Sequence, residues 1–393
     1  MIVCNIGSSS FKMQLLEMPG EQERVRGSIE RVGSEESTAT YRVDRSEVAP
    51  EHVAIPSQAE AVRHALSFLE RSGVIGSLGE IDAVGFKTVQ AGEENGSVLL
   101  TDRVLEAMER YRDLAPAHNP PYLVAIRMFR KLLPGTPLVG VFEPGFHTSI
   151  PDYARVYGIP YEWIAENGVV KYGYHGASHR YVTGETVRIL GLKPGRHRVI
   201  SCHLGGSSSL CAFKDGRSID TSMGFTPQSG LIQGTRIGDM DPFVLPHIMK
   251  ARNITLEEAL RECSSNGGLK GLSGISEDMR DIKQAAERGD RRAMLARSKF
   301  IYDIKRYVGE FLVVMEGLDA ITFTGGIGQR DAELRAEVLS SLSFLGLRLN
   351  PGRNAAHQQL ISEPGSPIAA LVLETNEELV VARETMRVVS QAT

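Results

Sequence analysis

Apolar and polar positions alternate through residues 1–50, with turn residues between the runs, which predicts a β-meander. Apolar spacing of three and four then predicts a helix over 59–69. Residues 81–84 read as a strand leading into Gly85-Phe86-Lys87-Thr88-Val89-Gln90, and residues 104–111 as a helix. Ala115-Pro116-Ala117-His118-Asn119-Pro120-Pro121 cannot continue that helix, because proline lacks the N–H and restricts the residue before it. A helix over 122–133 and a buried strand over 138–142 follow, the strand ending at Glu143-Pro144-Gly145. Residues 150–180, rich in Tyr, Pro and His, read as irregular, and a second meander opens at 198–201. Thr255 and Glu258 spell a capping box before a helix. A long amphipathic helix is expected over 291–318, then a buried strand over 320–323 that breaks at Thr324-Gly325-Gly326-Ile327-Gly328. A helix over 332–343, a strand over 368–372 and a last helix after Thr375 complete the chain. Strands and helices alternate in both halves, so the class is α/β. With no extended linker, the domain boundary falls between Glu143 and Pro151.

One pattern is written twice. Val3-Cys4-Asn5-Ile6-Gly7-Ser8-Ser9-Ser10 and Ser201-Cys202-His203-Leu204-Gly205-Gly206-Ser207-Ser208-Ser209 share an apolar lead-in, a glycine and a serine run before another apolar stretch. Each reads as strand, tight turn, strand. Glycine lets the backbone approach a ligand, and hydroxyls and N–H groups at such a turn can cradle phosphate oxygens. The alternative is a pair of serine-rich turns that bind nothing.

Composition narrows the class. A chain of 393 residues suits two domains, and 42% hydrophobic with 23% charged residues is ordinary for a soluble protein. A net charge of −4 argues against a broad nucleic-acid surface, so an anionic ligand needs local positive charge. No signal peptide and no membrane span are expected. Cys4, Cys202, Cys211 and Cys263 form no Cys-x-x-Cys pair and read as core residues in a reducing cytoplasm.

Several segments carry candidate chemistry. Asn5 and Lys12 flank the first serine run and suit a metal-bound water and a phosphate, or else a turn and a solvated strand. His175 and His179 are four apart, but Gly176 stands where a zinc hydrolase wants glutamate, so His175 reads better as a donor to developing negative charge. Arg236, between Gly234 and Gly238, suits bidentate gripping of an anion, or a salt bridge to Asp239. The Gly325-Gly326-Ile327-Gly328 turn lets a flat ring lie against the backbone. It lacks the third glycine of a dinucleotide fingerprint, and no P-loop is present. Thr375-Asn376-Glu377-Glu378 reads as a capping box in which Glu378 reaches back to Thr375, leaving Glu377 as a candidate magnesium contact.

Together these segments resemble the acetate kinase family of short-chain carboxylate kinases, within the sugar kinase, Hsp70 and actin superfamily. His118-Asn119-Pro120-Pro121, Lys171 to His179, Thr221 to Pro227, Gly234-Thr235-Arg236 and Thr375 to Glu378 carry the resemblance most strongly, and it runs from first strand to last helix. It implies two similar ribonuclease H-like domains around an interdomain cleft. Residues 1–147 with 376–393 would form the first, and residues 148–375 the second, which binds nucleotide and dimerises. The implied reaction moves the γ-phosphoryl group of ATP to a carboxylate, with Mg2+, giving an acyl phosphate and ADP. Asn5 and Glu377 would help hold magnesium. Lys12, His203, Gly205, Gly206 and Ser207 would line the phosphates. Asp278, Met279 and Arg280, with Gly326, Ile327, Gly328, Gln329 and Arg330, would hold the nucleoside. Glu143, His175 and Arg236 would be catalytic, and Lys87, Val89, Ala117, His118, Tyr174 and Pro227 would meet the carboxylate. The partners implied are a small carboxylate, a nucleotide and a second copy of the chain, in the cytoplasm, with neither nucleic acid nor membrane.

The departures fall in the site. The family's arginine is Lys87 here, within Phe86 to Gly92, and its aspartate is Glu143. One partner shortens while the other lengthens, so the two are expected to form a re-spaced pair. Ala117 replaces a larger leucine and Tyr174 a phenylalanine, which predicts an acid bulkier or more polar than acetate. Gly206-Ser207 replaces Asn-Gly, and Gln329-Arg330 replaces Glu-Asn, which opens the question of the phosphoryl donor. Two alternatives stand beside the kinase: a catalytically impaired nucleotide sensor, and a kinase with another acceptor or donor.

Overall fold

Fourteen strands form two sheets in this computed structural model, which describes residues 1–116, 118–193 and 195–392. Ala117 lies outside the described residues. The chain divides into two units, Met1–Thr148 with Asn376–Thr393, and Ser149–Thr375. The first holds β1 (Ile2–Ile6), β2 (Ser10–Glu17), β3 (Gln22–Glu30), β4 (Ser34–Val43), β5 (Ser46–Glu47), β6 (Glu51–Ile55), β7 (Val84–Thr88), β8 (Ser97–Leu99) and β9 (Leu138–Phe142). Their order is β5-β4-β3-β2-β1-β7-β9-β8, with β6 on β4. The second holds β10 (Arg198–Leu204), β11 (Ser208–Lys214), β12 (Arg217–Thr221), β13 (Ala320–Thr324) and β14 (Ala369–Val372), in the order β12-β11-β10-β13-β14.

The two sheets repeat one plan. In each, the first strand pairs antiparallel with the second and parallel with a later one: β1 with β2 and β7, β10 with β11 and β13. β3-β2-β1-β7-β9 and β12-β11-β10-β13-β14 correspond strand for strand, the duplication that the resemblance implies. The two serine-rich turns each join the two strands of a corresponding hairpin, β1–β2 and β10–β11. Gly7 N–H donates to Ser10 O at 2.9 Å, and Gly205 N–H donates to Ser208 Oγ at 3.1 Å.

The structure moves several expected boundaries. The strand read at 81–84 is Val84–Thr88. Pro120 and Pro121 do not precede the next helix but open it: it runs Asn119–Leu132, with proline in the first turn, where the missing N–H has no intrahelical partner to lose. The long helix ends at Val314 rather than 318, and the one after Ala332 ends at Ser340. Residues 150–180 are not irregular: they carry short helices Asp152–Arg155 and Tyr161–Asn167 and the start of Gly176–Leu190. That last helix buries Ser178, His179, Thr183 and Thr186, polar side chains that give no apolar period. At the final helix, Glu377–Ala392, the box expected at Thr375 does not form. Asn376 Oδ1 accepts from Leu379 N–H at 3.0 Å, and Thr375 Oγ1 is buried with no hydrogen-bond partner.

Gly85 sets the depth at which that final helix docks. A Cβ there would lie 2.2 Å from Thr385 Oγ1 and 2.9 Å from Val381 Cγ1. Gly85→Ala is therefore expected to cost about 1–3 kcal/mol through overpacking. Urea denaturation reads this directly, and an unchanged midpoint would contradict it.

Candidate active site

In the first unit the predicted residues gather at the C-terminal ends of β1, β7 and β9. Asn5 pairs with Lys12 across β1 and β2, and Cys4 with Phe86 across β1 and β7. Successive side chains alternate between faces, so Lys12, Asn5 and Lys87 share one face. It is the face on which Glu377–Ala392 packs over Gly85. Glu143 follows β9 directly, and Glu377 opens the final helix. Lys87 Nζ lies 3.2 Å from Glu143 Oε1 and also contacts Glu377 Oε2. All three side chains are largely buried. Burial pulls the Lys87 pKa down, but the carboxylates of Glu377 and Glu143 outweigh it and hold the ammonium well above the usual lysine value.

One ammonium faces two carboxylates. With Asn5 on the same face of the sheet, the donor types are hard oxygens that fit Mg2+. That ion takes one or two carboxylates and completes its shell with water and phosphate oxygens. Among the described residues no cluster of three His, Cys, Asp or Glu could hold a metal alone. Val89 is half-buried just past β7, and His118 is exposed before the helix Asn119–Leu132.

In the second unit, His175 and His203 stack with ring centroids 4.3 Å apart. His175 stands before the helix Gly176–Leu190 with φ 56°, a left-handed conformation that costs energy for a side chain with a Cβ. Its Nδ1 shares Ser209 Oγ with His179 Nε2, each at 2.8 Å, while His179 Nδ1 meets Ser201 Oγ at 2.9 Å. Both ring nitrogens of His179 face hydroxyls, so the two-histidine motif is not a metal pair. Ser178 Oγ meets His203 Nδ1 at 2.8 Å. Ser178, His179, Ser201 and Ser209 thus orient the two half-buried imidazoles. Only the His-x-x-x-His spacing hinted at this in the sequence.

Arg236 does not bridge to Asp239, which pairs instead with Arg306 and Tyr307, each at 2.6 Å. Arg236 Nη1 donates to Ser207 Oγ at 2.9 Å and Gln233 Oε1 at 3.1 Å. Among the described residues no carboxylate lies within ion-pair distance of it. Burial pulls its pKa below the usual guanidinium value, with Tyr174 acting weakly the other way. The Tyr174 hydroxyl donates to Phe225 O at 2.8 Å, and Pro227 O accepts from Gln233 Nε2 at 2.8 Å.

A cavity of about 650 Å³ lies beside this arginine loop, wholly within the second unit. Gly205, Gly206, Asp278, Met279, Arg280, Gly326, Ile327 and Arg330 line it, as expected from the sequence for a nucleotide. Gly325 has φ 78°, and a Cβ there would meet Leu204 O at 2.5 Å, so only glycine lets the lining segment leave β13. Asp278 caps the helix Met279–Glu287 through Arg280 N–H at 2.8 Å and pairs with the Arg280 guanidinium. Gly328 is buried behind the lining and Gln329 half-buried. Lys283, Gln284 and Glu287 also line the cavity. With Arg280 they stand at i, i+3, i+4 and i+7 of one helix, a face that helical phase from Asp278 would have disclosed.

The sequence profile of the Acetokinase family matches residues 1–383. An acetate kinase of Geobacillus sp. (strain WCH70) is 43% identical over 389 residues, covering 98% of both chains. The crystal structure of Porphyromonas gingivalis acetate kinase superposes with a TM-score of 0.91 at 37% identity, over 99% of each chain. A propionate kinase from Francisella tularensis gives a TM-score of 0.89 at 34% identity over 98% of each. With the duplicated sheet plan, the nucleotide-sized cavity and the Lys87–Glu143–Glu377 cluster, these likenesses show that the chain belongs to the acetokinase family, phosphotransferases that use ATP and Mg2+ to phosphorylate a short-chain carboxylate.

Proposed function

We propose that this chain transfers the γ-phosphoryl group of ATP to a short-chain carboxylic acid bulkier or more polar than acetate. The observation that carries the reading is Arg236, a half-buried guanidinium beside the Gly205–Ser207 turn with no carboxylate partner among the described residues. An unpaired cation so placed suits a phosphoryl group that gains and redistributes charge in flight.

The chemistry asks for placement rather than a strong base. A carboxylic acid is ionised at neutral pH, since its pKa lies near ~4. The obstacle is the approach of two anions. Mg2+, when bound, neutralises and orients the phosphates, and Asn5 and Glu377 would hold it. Arg236 and His175 donate to the transferring group, with His203 stacked behind His175. Lys12, Gly205, Gly206 and Ser207 receive the phosphates, and the 650 Å³ cavity receives the nucleoside. Glu143 and Glu377 hold Lys87, so its ammonium is oriented but not bare toward a substrate.

The acid is assigned to Val89, Ala117, His118, Tyr174 and Pro227. Tyr174 places a hydroxyl, held by its donation to Phe225 O, where the family has an apolar ring. That suits an acid bearing a hydroxyl or amino donor. Acyl phosphate trapped by hydroxylamine is expected to form with higher kcat/KM from propionate, butyrate or a hydroxy or amino acid than from acetate. One methylene is worth only about 1–3 kcal/mol in such a pocket, so acetate should remain a poor substrate. A preference for acetate over the whole panel would overturn the assignment.

The reading as a retired nucleotide sensor is not favoured: the two departures at Lys87 and Glu143 meet each other, and the relatives match over nearly the full chain. We also infer a homodimer formed through the second unit, supported by exposed Tyr153, Tyr161, Trp163, Phe243 and Tyr302 there. Buried free cysteines at 4, 202 and 211 suit a reducing cytoplasm, and among the described residues no helix is long and apolar enough to cross a membrane.

A further inference from the structure

Arg335 is the largest fully buried side chain among the described residues, and no carboxylate pairs with it. Its Nε donates to Asn354 Oδ1 at 2.8 Å. Nη1 donates to the carbonyls of Gly328 and Gln329, each at 2.8 Å. Nη2 donates to Asn354 O at 2.8 Å and to His357 Nδ1 at 2.9 Å. A guanidinium has five N–H donors, so the side chain is saturated, entirely by neutral acceptors. Burial lowers its pKa to about 10, which leaves it charged at neutral pH. Asp331 favours the charged form through space but makes no ion pair with it. A buried charge without a direct ion pair is costly, and an apolar side chain would fill the same volume more cheaply. Its use must lie in what it holds.

The carbonyls of Gly328 and Gln329 end the six-residue helix Gly325–Arg330, where main-chain acceptors have no intrahelical donor. The opposite side of the same segment is cavity wall: Gly326, Ile327 and Arg330 line it. A Cβ on Gly326 would meet nothing within 4 Å, so its Cα faces open space. One segment therefore has a guanidinium clamped behind it and the cavity before it. The helix Ala332–Ser340, which carries Arg335, is itself tied to the clamp, since Asn354 Nδ2 donates to Ala332 O at 2.7 Å.

We propose that Arg335 is the positioning residue for nucleotide binding, its guanidinium fixing Gly325–Arg330 from behind so that the cavity wall is formed before the nucleotide arrives. The inference rests on the cavity being the nucleotide site. Pre-organisation of this kind acts on affinity, because a loose wall must be ordered at the moment of binding. It leaves the reacting groups, Arg236 and His175, untouched.

Calorimetric titration of the full chain with ADP and Mg2+ tests this, with hydrogen exchange followed in the same proteins. Arg335→Lys keeps the charge and loses the planar fork. It is expected to raise the nucleotide Kd about tenfold or more, raise KM for ATP in parallel, leave kcat at saturating ATP within about twofold, and speed exchange in 325–330 with β10 unchanged. His357→Gly suits the left-handed backbone at that residue, φ 50°, removes one acceptor and should shift Kd in the same direction by less. It keeps the test open if Arg335→Lys fails to fold. An unchanged Kd in the folded fraction of these variants, with only their melting temperature lowered, would overturn the clamp alone. No nucleotide binding by the unaltered chain would overturn the site reading and the clamp with it.

Discussion

Arg236→Ala is expected to lower kcat about 10³-fold while nucleotide affinity stays within a few-fold. The size follows from what the guanidinium is asked to do. Removing one neutral donor from a preorganised anion site costs about 10²–10³ in rate, and a charged arginine acting on a phosphoryl group supplies about 10³–10⁵. Arg236 starts from an advantage here. Its Nη1 is held by Ser207 and Gln233, and no carboxylate competes for its charge among the described residues. Arg236→Lys should recover only part of the loss, since a lysine keeps the charge without the two-pronged geometry. Steady-state rates at saturating acid and nucleotide decide the point. A fall of less than tenfold would place the main charge stabilisation elsewhere.

The second large effect concerns Lys87. Lys87→Met leaves Glu143 and Glu377 facing each other in a buried setting without their cation. Breaking such a cluster by removing one partner costs about 3–5 kcal/mol, and chemical denaturation should show a loss of that order. Function adds a sharper comparison. If a shorter cation and a longer carboxylate compensate, Lys87→Arg and Glu143→Asp should each harm kcat/KM more than the two together. A coupling of about 1 kcal/mol or more is expected. Strict additivity of the two changes would show that the residues touch without depending on each other.

What the sequence disclosed follows from the kind of signal each part carries. The hairpins β1–β2 and β10–β11 were legible because an apolar run, a glycine–serine turn and a second apolar run are local facts. The Lys87–Glu143 contact, though 56 residues apart in sequence, was legible from complementary changes of side-chain length. The helix Gly176–Leu190 was not, because Ser178, His179, Thr183 and Thr186 share its buried face with Ala177 and Val182 and interrupt the apolar stripe. Those residues are buried polar because they meet polar partners: His179 reaches Ser201 and Ser209, and Thr186 reaches Thr322 at 2.7 Å. Prolines 120 and 121 misled in the opposite way, since the same residues that end a helix are tolerated in its first turn. At the last helix, Asn376 took the capping role that Thr375 shares by residue type, a one-position ambiguity that sequence alone does not resolve. Arg335 gave no sign at all. An arginine in a helix reads as solvated, and only the fold shows that five neutral acceptors surround it.

The most direct test is a stoichiometry. With the unaltered chain, Mg2+ and ATP, ADP release and hydroxamate formation should be measured side by side as one acid from the panel is added. Acid-dependent ADP and hydroxamate in equal amounts, both abolished together in Arg236→Ala, are the expected result. ADP that appears without matching hydroxamate, or tight nucleotide binding with no acid-dependent turnover, would contradict it.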